Sequence, residues 1–460
     1  MEKVNPLDEL MTARALFGSS LGFHILFATL GVGIPLMIFM AELLFQVTKD
    51  PDYTLMAKRW TKAQAILLGV AIPSGTIVAV QLSLLWPNFM EWVGQIIALP
   101  FQVELFAFFL EALFMSIYVY AADRLSPSLR ILSVFFVALG GSLSGALITS
   151  ANAWMNTPTG FELAKDGSII NVRPWEAFFN PSFPAAAIHV LLSAYMTGAF
   201  VIASIAALRM LKRKEKDAPY RYHRKALLLS LAIGLVVSIG TALNGHWAAQ
   251  VLHEKQPEKL AAAEGLFETQ SRAPLSIGGV TDNEEGKLKG AIEIPGMLSF
   301  LAGNRFDTVV KGLNDFPRDT WPPFYTHTLF NLMVGIGTLL ILFAGLAWLI
   351  RWRRGKDHLP RWLLRLLIVG GPLSLLSIEF GWVFTCSGRQ PWTVYNLQRT
   401  SEAVTDATGI MTWFVLFIAI YVFLLISTVW IMRGYFRKRP LEQEMLNAHA
   451  TQSKKGEGLH

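Results

Sequence analysis

Long apolar stretches separated by short basic turns run through most of the chain. A hydrocarbon core about 30 Å thick needs roughly 20 mostly apolar residues in a helix. Nine stretches reach that length: 20–46, 64–86, 98–121, 129–152, 185–211, 226–246, 327–350, 363–384 and 409–432. The first begins well inside the chain, lacks a charged leader and shows no cleavage site, so it is expected to be a retained span rather than a signal peptide. The pattern predicts an all-α integral membrane protein with nine transmembrane helices. Residues 1–246 hold helices one to six, 247–326 a long polar loop, 327–432 helices seven to nine, and 433–460 a polar tail.

Charge then orients the spans. Lys49, Lys58, Arg59 and Lys62 lie between spans one and two, and Arg124 and Arg130 between three and four. Lys212, Arg213, Lys214, Lys216, Arg221, Arg224 and Lys225 lie between five and six. Arg351, Arg353, Arg354, Lys356, Arg361 and Arg365 lie between seven and eight, and Arg433, Arg437, Lys438 and Arg439 follow span nine. The intervening short loops are poor in Lys and Arg. The positive-inside rule puts the N-terminus outside and the C-terminus in the cytoplasm, as an odd number of spans requires. The polar loop 247–326 is then on the outer side. Loops of that length more often carry function than merely connect.

Composition narrows the chemistry. Hydrophobic residues make up 53% and charged residues only 16%, so the net charge of +7 reflects the basic turns and not a nucleic-acid surface. The single cysteine, Cys386, excludes a disulfide framework, a thiolate zinc site and an iron–sulfur cluster.

Ionisable groups in hydrocarbon are costly, and those picked out within the spans are His24, Glu104, Glu111, His189 and Glu379. With the outer-end Met333, all fall in the outer half of the predicted bilayer. Imidazole with thioether suits a six-coordinate, electron-transferring haem, and one imidazole or carboxylate leaves iron an open face. Glu104 and Glu111 are seven apart, on one helix face, which suits a ligand plus a proton donor or a carboxylate pair. For each lone histidine the plain alternative is a satisfied polar contact, and for Met333 a core gap-filler. Spacing alone leaves haem binding and proton-coupled transport both open.

Several segments resemble subunit I of the cytochrome bd quinol oxidases, nearly end to end. They are Arg14 with His24, E-L-F-A-F-F-L-E from Glu104 to Glu111, and A-N-A-W-M-N-T-P from Ala151 to Pro158. The loop carries Q-P-E-K-L-A-A-A-E-G-L-F-E-T from Gln256 to Thr269 and I-P-G-M-L-S-F-L-A-G-N-R-F-D from Ile294 to Asp307. Span eight ends in G-W-V-F-T-C-S-G-R-Q-P-W, Gly381 to Trp392. The resemblance implies that His189 and Met333 are the axial pair of a low-spin haem b. It implies that His24, Glu104 and Glu379 belong to two high-spin haems, one haem b and one haem d or a further haem b. It gives Glu111 a role in passing protons, and Lys259 and Glu264 roles in quinol oxidation on a short version of the family's quinol loop. Arg389 and Arg14 are candidates for haem propionates or for charges snorkelling at the interface. Trp86, Trp92, Trp321 and Tyr325 fit an interfacial aromatic belt, and His327 is read as interfacial rather than a ligand.

The expected activity is quinol oxidation at the outer face, with O2 reduced to water by protons drawn from the cytoplasm. The expected setting is the bacterial cytoplasmic membrane, beside a second membrane subunit (subunit II) and a possible small single-helix subunit. Two departures mark a divergent branch. Asn331 stands where the family shows an arginine before the axial methionine, which lowers the low-spin potential if nothing replaces that charge. Cys386 stands where a glutamate is usual. These departures motivate one alternative, a haem b quinol dehydrogenase or sensor without efficient O2 reduction. A proton-coupled transporter is the other.

Overall fold

A computed structural model of the chain describes residues 6–448 apart from 123, 214, 283 and 356–358. Lys214, Lys356 and the tail beyond 448 therefore lie outside the described residues. Among those described, nine helices are long and apolar enough to cross a membrane. They are α1 (Pro6–Thr48), α2 (Pro51–Leu85), α3 (Pro87–Ala121), α4 (Pro127–Asn156), α5 (Phe183–Leu211), α6 (Ala218–Lys255), α7 (Thr326–Arg354), α8 (Arg361–Ser387) and α9 (Ile410–Lys438). Each contains a span expected from the hydrophobic pattern, but most overrun it. An apolar window locates hydrocarbon, whereas helix ends are set by capping residues beyond it.

Those caps are legible. Three of the turns between helices place proline in the first helical turn behind a capping side chain. Asp50 accepts from the Asp52 amide at 3.0 Å, Ser126 from Leu129 at 3.4 Å and Asp217 from Tyr220 at 2.9 Å. All three turns lie at one end of the bundle, the tail end, where Lys225 pairs with Asp50 and Asp52 and Arg59 pairs with Glu444. The opposite, loop end carries residues 157–182, 256–325 and 388–409.

Helix packing makes two squares that meet where α1 and α4 pack on α5. In the first, α1 packs on α2, α2 on α3, α3 on α4 and α4 on α1; in the second, α5 packs on α6, α6 on α7, α7 on α8 and α8 on α5. Helices α1 and α3 are diagonal in one square, α5 and α7 in the other. The densest core surrounds Met37, Ala203, Leu227, Leu340 and Leu363.

The loop after α6 is folded. Helix α6 runs to Lys255, nine residues past its expected apolar end, and Pro257–Glu264 continues as a short helix. Short antiparallel pairs follow: Leu275–Ile277 with Ile292–Ile294, Val280–Asp282 with Lys287–Lys289, and Gln270–Ser271 with Val309–Val310. Leu260, Leu266, Ala273, Leu298, Ala302 and Val310 give it a core of its own. Burying that cluster holds an otherwise polar segment in one conformation.

Candidate functional site at the loop end

The diagonal helices carry most of the candidate residues. His189 lies within the first two turns of α5, and its Nδ1 is buried without a partner. Met333 lies two turns into α7. Both are near the loop end, on helices separated by α6 and α8. The Met333 sulfur is so close to α8 that a Cβ on Gly381 would sit 2.8 Å from it. Any larger residue at Gly381 would push the Met333 thioether aside.

The first square repeats the arrangement with oxygen and nitrogen donors. On α1, His24 Nδ1 is 3.0 Å from Ser74 Oγ on α2, and a Cβ on Gly75 would meet the imidazole at 2.9 Å. On α3, Glu104 accepts from Ser144 of α4 at 2.5 Å, while Glu111 is buried against the α4 backbone at Gly140 and Gly141. Glu379 on α8 approaches α1 beside Gly22, with Oε1 buried and unpartnered. Among the described residues no cluster of three or more His, Cys, Asp or Glu comes together. A donor set of one or two per centre suits haem iron, because the porphyrin supplies the other ligands.

Sequence reasoning missed one residue of this set. Glu42 lies inside the first apolar stretch, yet it was not picked out with the other ionisable groups. It is fully buried near the tail end of α1, where Tyr118 donates to Oε1 and Arg130 pairs with Oε2 at 2.7 Å. Arg130 also donates to Thr54 at 3.2 Å. Tyr118 is seven residues beyond Glu111, which is seven beyond Glu104, so the three side chains share one face of α3. The signal was available: a glutamate in an apolar run, and a carboxylate–carboxylate–phenol series at heptad spacing.

At the loop end, Lys259 is buried on the short helix 257–264. Its ammonium donates to Asn156 Oδ1 at 3.2 Å and to the Thr385 carbonyl at 3.0 Å, over the Phe384 ring. Burial first, then the charge on nearby Arg389, pushes Lys259 down to about 7. Glu264, five residues on, is also buried. Burial pushes it up to about 8 against the opposing effect of the Ser276 amide, and Oε2 has no partner.

Arg389 is 5% exposed, with Nε and Nη1 buried and unpartnered. A buried guanidinium in that condition fits an anion such as a haem propionate and rules out snorkelling. Arg14, by contrast, is only partly covered, and its Nη1 lies 3.9 Å from Met11 Sδ. A cleft of about 600 Å³ is lined in part by Asn156, the partner of Lys259, and by Thr157, Lys255 and Tyr395. Tyr395 donates to Glu258 at 3.1 Å, joining the segment after α8 to the loop.

Two aromatic-belt assignments change. Trp86 is 7% exposed and packs in the core against Phe17 rather than facing lipid or water. His327 is fully buried and hydrogen-bonded to the loop, so it is not an interfacial side chain. Asn331, at the departure from the arginine pattern, is also directed to the loop, where its Oδ1 accepts the Gly278 amide at 2.8 Å.

Comparison with known proteins agrees with this geometry. The family model for cytochrome bd terminal oxidase subunit I matches residues 12–440. A chain of Bacillus subtilis (strain 168), provisionally named cytochrome bd menaquinol oxidase subunit I, is 58% identical over 446 residues, covering 96% of this chain and 100% of that relative. Cytochrome bd ubiquinol oxidase subunit 1 of the same organism is 33% identical over 412 residues, covering 87% and 86%. The solved bd oxidase from Geobacillus thermodenitrificans superposes with a TM-score of 0.90 at 44% identity, covering 95% of this chain and 100% of that one.

Proposed function

The chain belongs to the cytochrome bd terminal oxidase subunit I family, membrane quinol oxidases that carry haem and normally work with a subunit II, and on that premise we propose how its own residues divide the reaction. Family membership also removes the transporter alternative. The loop end faces outward and the tail end the cytoplasm of a bacterial inner membrane, which the basic turns at the tail end support. The quinol is a menaquinol, by analogy with the 58% identical relative.

His189 and Met333 hold a low-spin haem b between the diagonal helices α5 and α7. His24, Glu104 and Glu379 serve a high-spin haem b and a third haem, d or b. When bound, these haems supply the electron transfer and the oxygen reduction. Arg389 meets a propionate. A single-helix subunit beside subunit II completes the assembly.

The observation that carries the reading is the burial of Lys259 and Glu264 on one short helix at the same end as His189 and Met333. A quinol must lose two protons as it loses electrons, so an acceptor has to sit where the electrons leave. Glu264 accepts a proton through its open Oε2. Lys259, reached from the adjoining cleft, hydrogen-bonds the quinol oxygen in exchange for Asn156.

Protons for water travel the other way. Glu42, Tyr118, Glu111 and Glu104 form a polar file from the tail end toward the loop end, and water bridges its gaps of about 10 Å per heptad. Quinol protons released at one face and water protons taken from the other separate charge without a pump.

The test is oxygen consumption by the purified complex with subunit II, driven by a reduced menaquinol analogue, together with a reduced-minus-oxidised spectrum. Consumption with low-spin b bands and a long-wavelength band supports the oxidase with haem d. A spectrum without haem bands, or haem without oxygen uptake, refutes it.

A further inference from the structure

His327 stands in the first turn of α7 with its ring buried between two separate pieces of the loop. Nδ1 is 2.8 Å from the Ala263 carbonyl, and Nε2 is 2.8 Å from the Gly278 carbonyl. Ala263 is the residue before Glu264. Gly278 sits in a turn with φ +70, leading from the strand Leu275–Ile277 to the strand Val280–Asp282.

Asn331, one helical turn further, closes the arrangement. Its Nδ2 lies 3.3 Å from both ring nitrogens, and its Oδ1 accepts the Gly278 amide at 2.8 Å. A ring N–H at either nitrogen donates to the carbonyl it faces, and the Asn331 amide also donates back to the His327 carbonyl at 3.3 Å. Gly278 is thus held through both its amide and its carbonyl by one face of α7. Thr281 adds a third tie, donating to the Phe324 carbonyl at 2.5 Å.

The consequence falls on Glu264. Its carboxylate receives the Ser276 amide, and its other oxygen is open, so no side chain fixes its direction. Its place is set by the backbone around 263–265, and that backbone is held by His327. Met333 lies six residues along the same helix, about 9 Å by helical rise. One rigid element therefore carries both the sulfur expected at the low-spin haem and the clasp on the expected proton acceptor.

We propose that His327, backed by Asn331, is a positioning residue for quinol oxidation, tying the Ala263–Glu264 segment of the loop to the helix that bears Met333. The proposal rests on the reading of Lys259 and Glu264 as the quinol site. It also gives Asn331 a use: the position that is arginine elsewhere in the family serves here as a second latch on the loop. Losing the clasp loosens the loop segment that receives quinol, and the loss is expected first in KM.

The experiment compares the wild-type two-subunit complex with His327→Ala and Asn331→Ala, using menadiol as the reductant and oxygen uptake as the readout. His327→Ala is expected to raise KM for menadiol about tenfold or more, with kcat at saturation within about threefold and the reduced haem spectrum unchanged. Asn331→Ala is expected to shift KM in the same direction by less, and it decides the matter if His327→Ala fails to assemble. An unchanged KM in both variants overturns the proposal. So does a fall in kcat that tracks loss of haem at constant KM, because that marks a merely structural histidine. A wild-type complex that holds haem but oxidises no menadiol overturns the functional reading beneath it as well.

Discussion

The Tyr118 hydroxyl donates to Glu42, joining the tail end of α1 to the face of α3 that carries Glu111 and Glu104. A buried carboxylate held by a phenol and by Arg130 is well placed to take protons from one side and release them to the other. Tyr118→Phe removes the phenolic hydroxyl and leaves the Glu42–Arg130 pair intact. Menaquinol-driven oxygen uptake is expected to fall at least about tenfold, within the range for loss of a proton-transfer group, with an unaltered haem spectrum. Glu42→Gln is a harsher test, since it strips Arg130 of its partner and lowers assembly as well as rate. Full oxygen uptake in Tyr118→Phe would remove Tyr118 from the path.

Two close glycine contacts separate ligand geometry from helix packing. A methyl group on Gly381 meets the flexible end of Met333, 2.8 Å away. Gly381→Ala is therefore expected to assemble in normal yield with a shifted low-spin spectrum. A methyl group on Gly140 meets the Glu111 backbone nitrogen at 2.7 Å and the Ala107 carbonyl oxygen at 2.9 Å. Backbone cannot swing aside, so α3 and α4 must part, and Gly140→Ala is expected to lose complex. Yield and spectrum measured side by side distinguish the two, and the reverse pattern would contradict both assignments.

Much of this was legible before any coordinates. Span positions follow from hydrophobic length, and His24 and His189 stand out because imidazole is rare in such runs, whereas Met333 reads as a gap-filler and gains a role only through the family resemblance. Glu42 was harder because its partners are remote in sequence, Tyr118 on α3 and Arg130 on α4. A carboxylate is cheap in a bilayer only when such partners surround it, and the linear pattern does not display them. His327 was hidden for a related reason. Its neighbours are backbone carbonyls of a polar loop, so nothing in its own surroundings along the chain marks it as buried. The loop's length points to function, but its small core becomes visible only once Leu260, Leu298 and Val310 are brought together.

Acidity at the loop end gives a signed pH dependence. Glu264 must be ionised to accept a quinol proton, and burial pushes it up to about 8, so below that pH most of it is protonated and idle. The value of kcat/KM for quinol should therefore rise with pH by about tenfold per unit on the acid side and level off above about 8. Lys259, pushed down to about 7, is mostly neutral on the plateau, where it can still donate one hydrogen bond. Glu264→Gln is expected to be slow and nearly flat over the same range. A limb of the same slope in that variant would assign the titration to another group.

Replacing Met333 by leucine tests the low-spin centre directly. Leucine has nearly the volume of methionine, so packing against α8 is kept to within about 1.5 kcal/mol. It has no thioether, so iron held by His189 would lose its second protein ligand. The complex should then assemble and retain its high-spin absorption, while the narrow reduced bands of the low-spin haem disappear. Quinol-driven oxygen uptake should fall in step if electrons from the loop site enter at the His189 side, as proposed. A small artificial donor that reduces the remaining haems directly should restore part of the uptake, locating the defect at electron arrival and not at oxygen. Reduced bands identical to those of the wild type would mean that Met333 is a packing residue and that the second axial ligand lies elsewhere on α7 or α8.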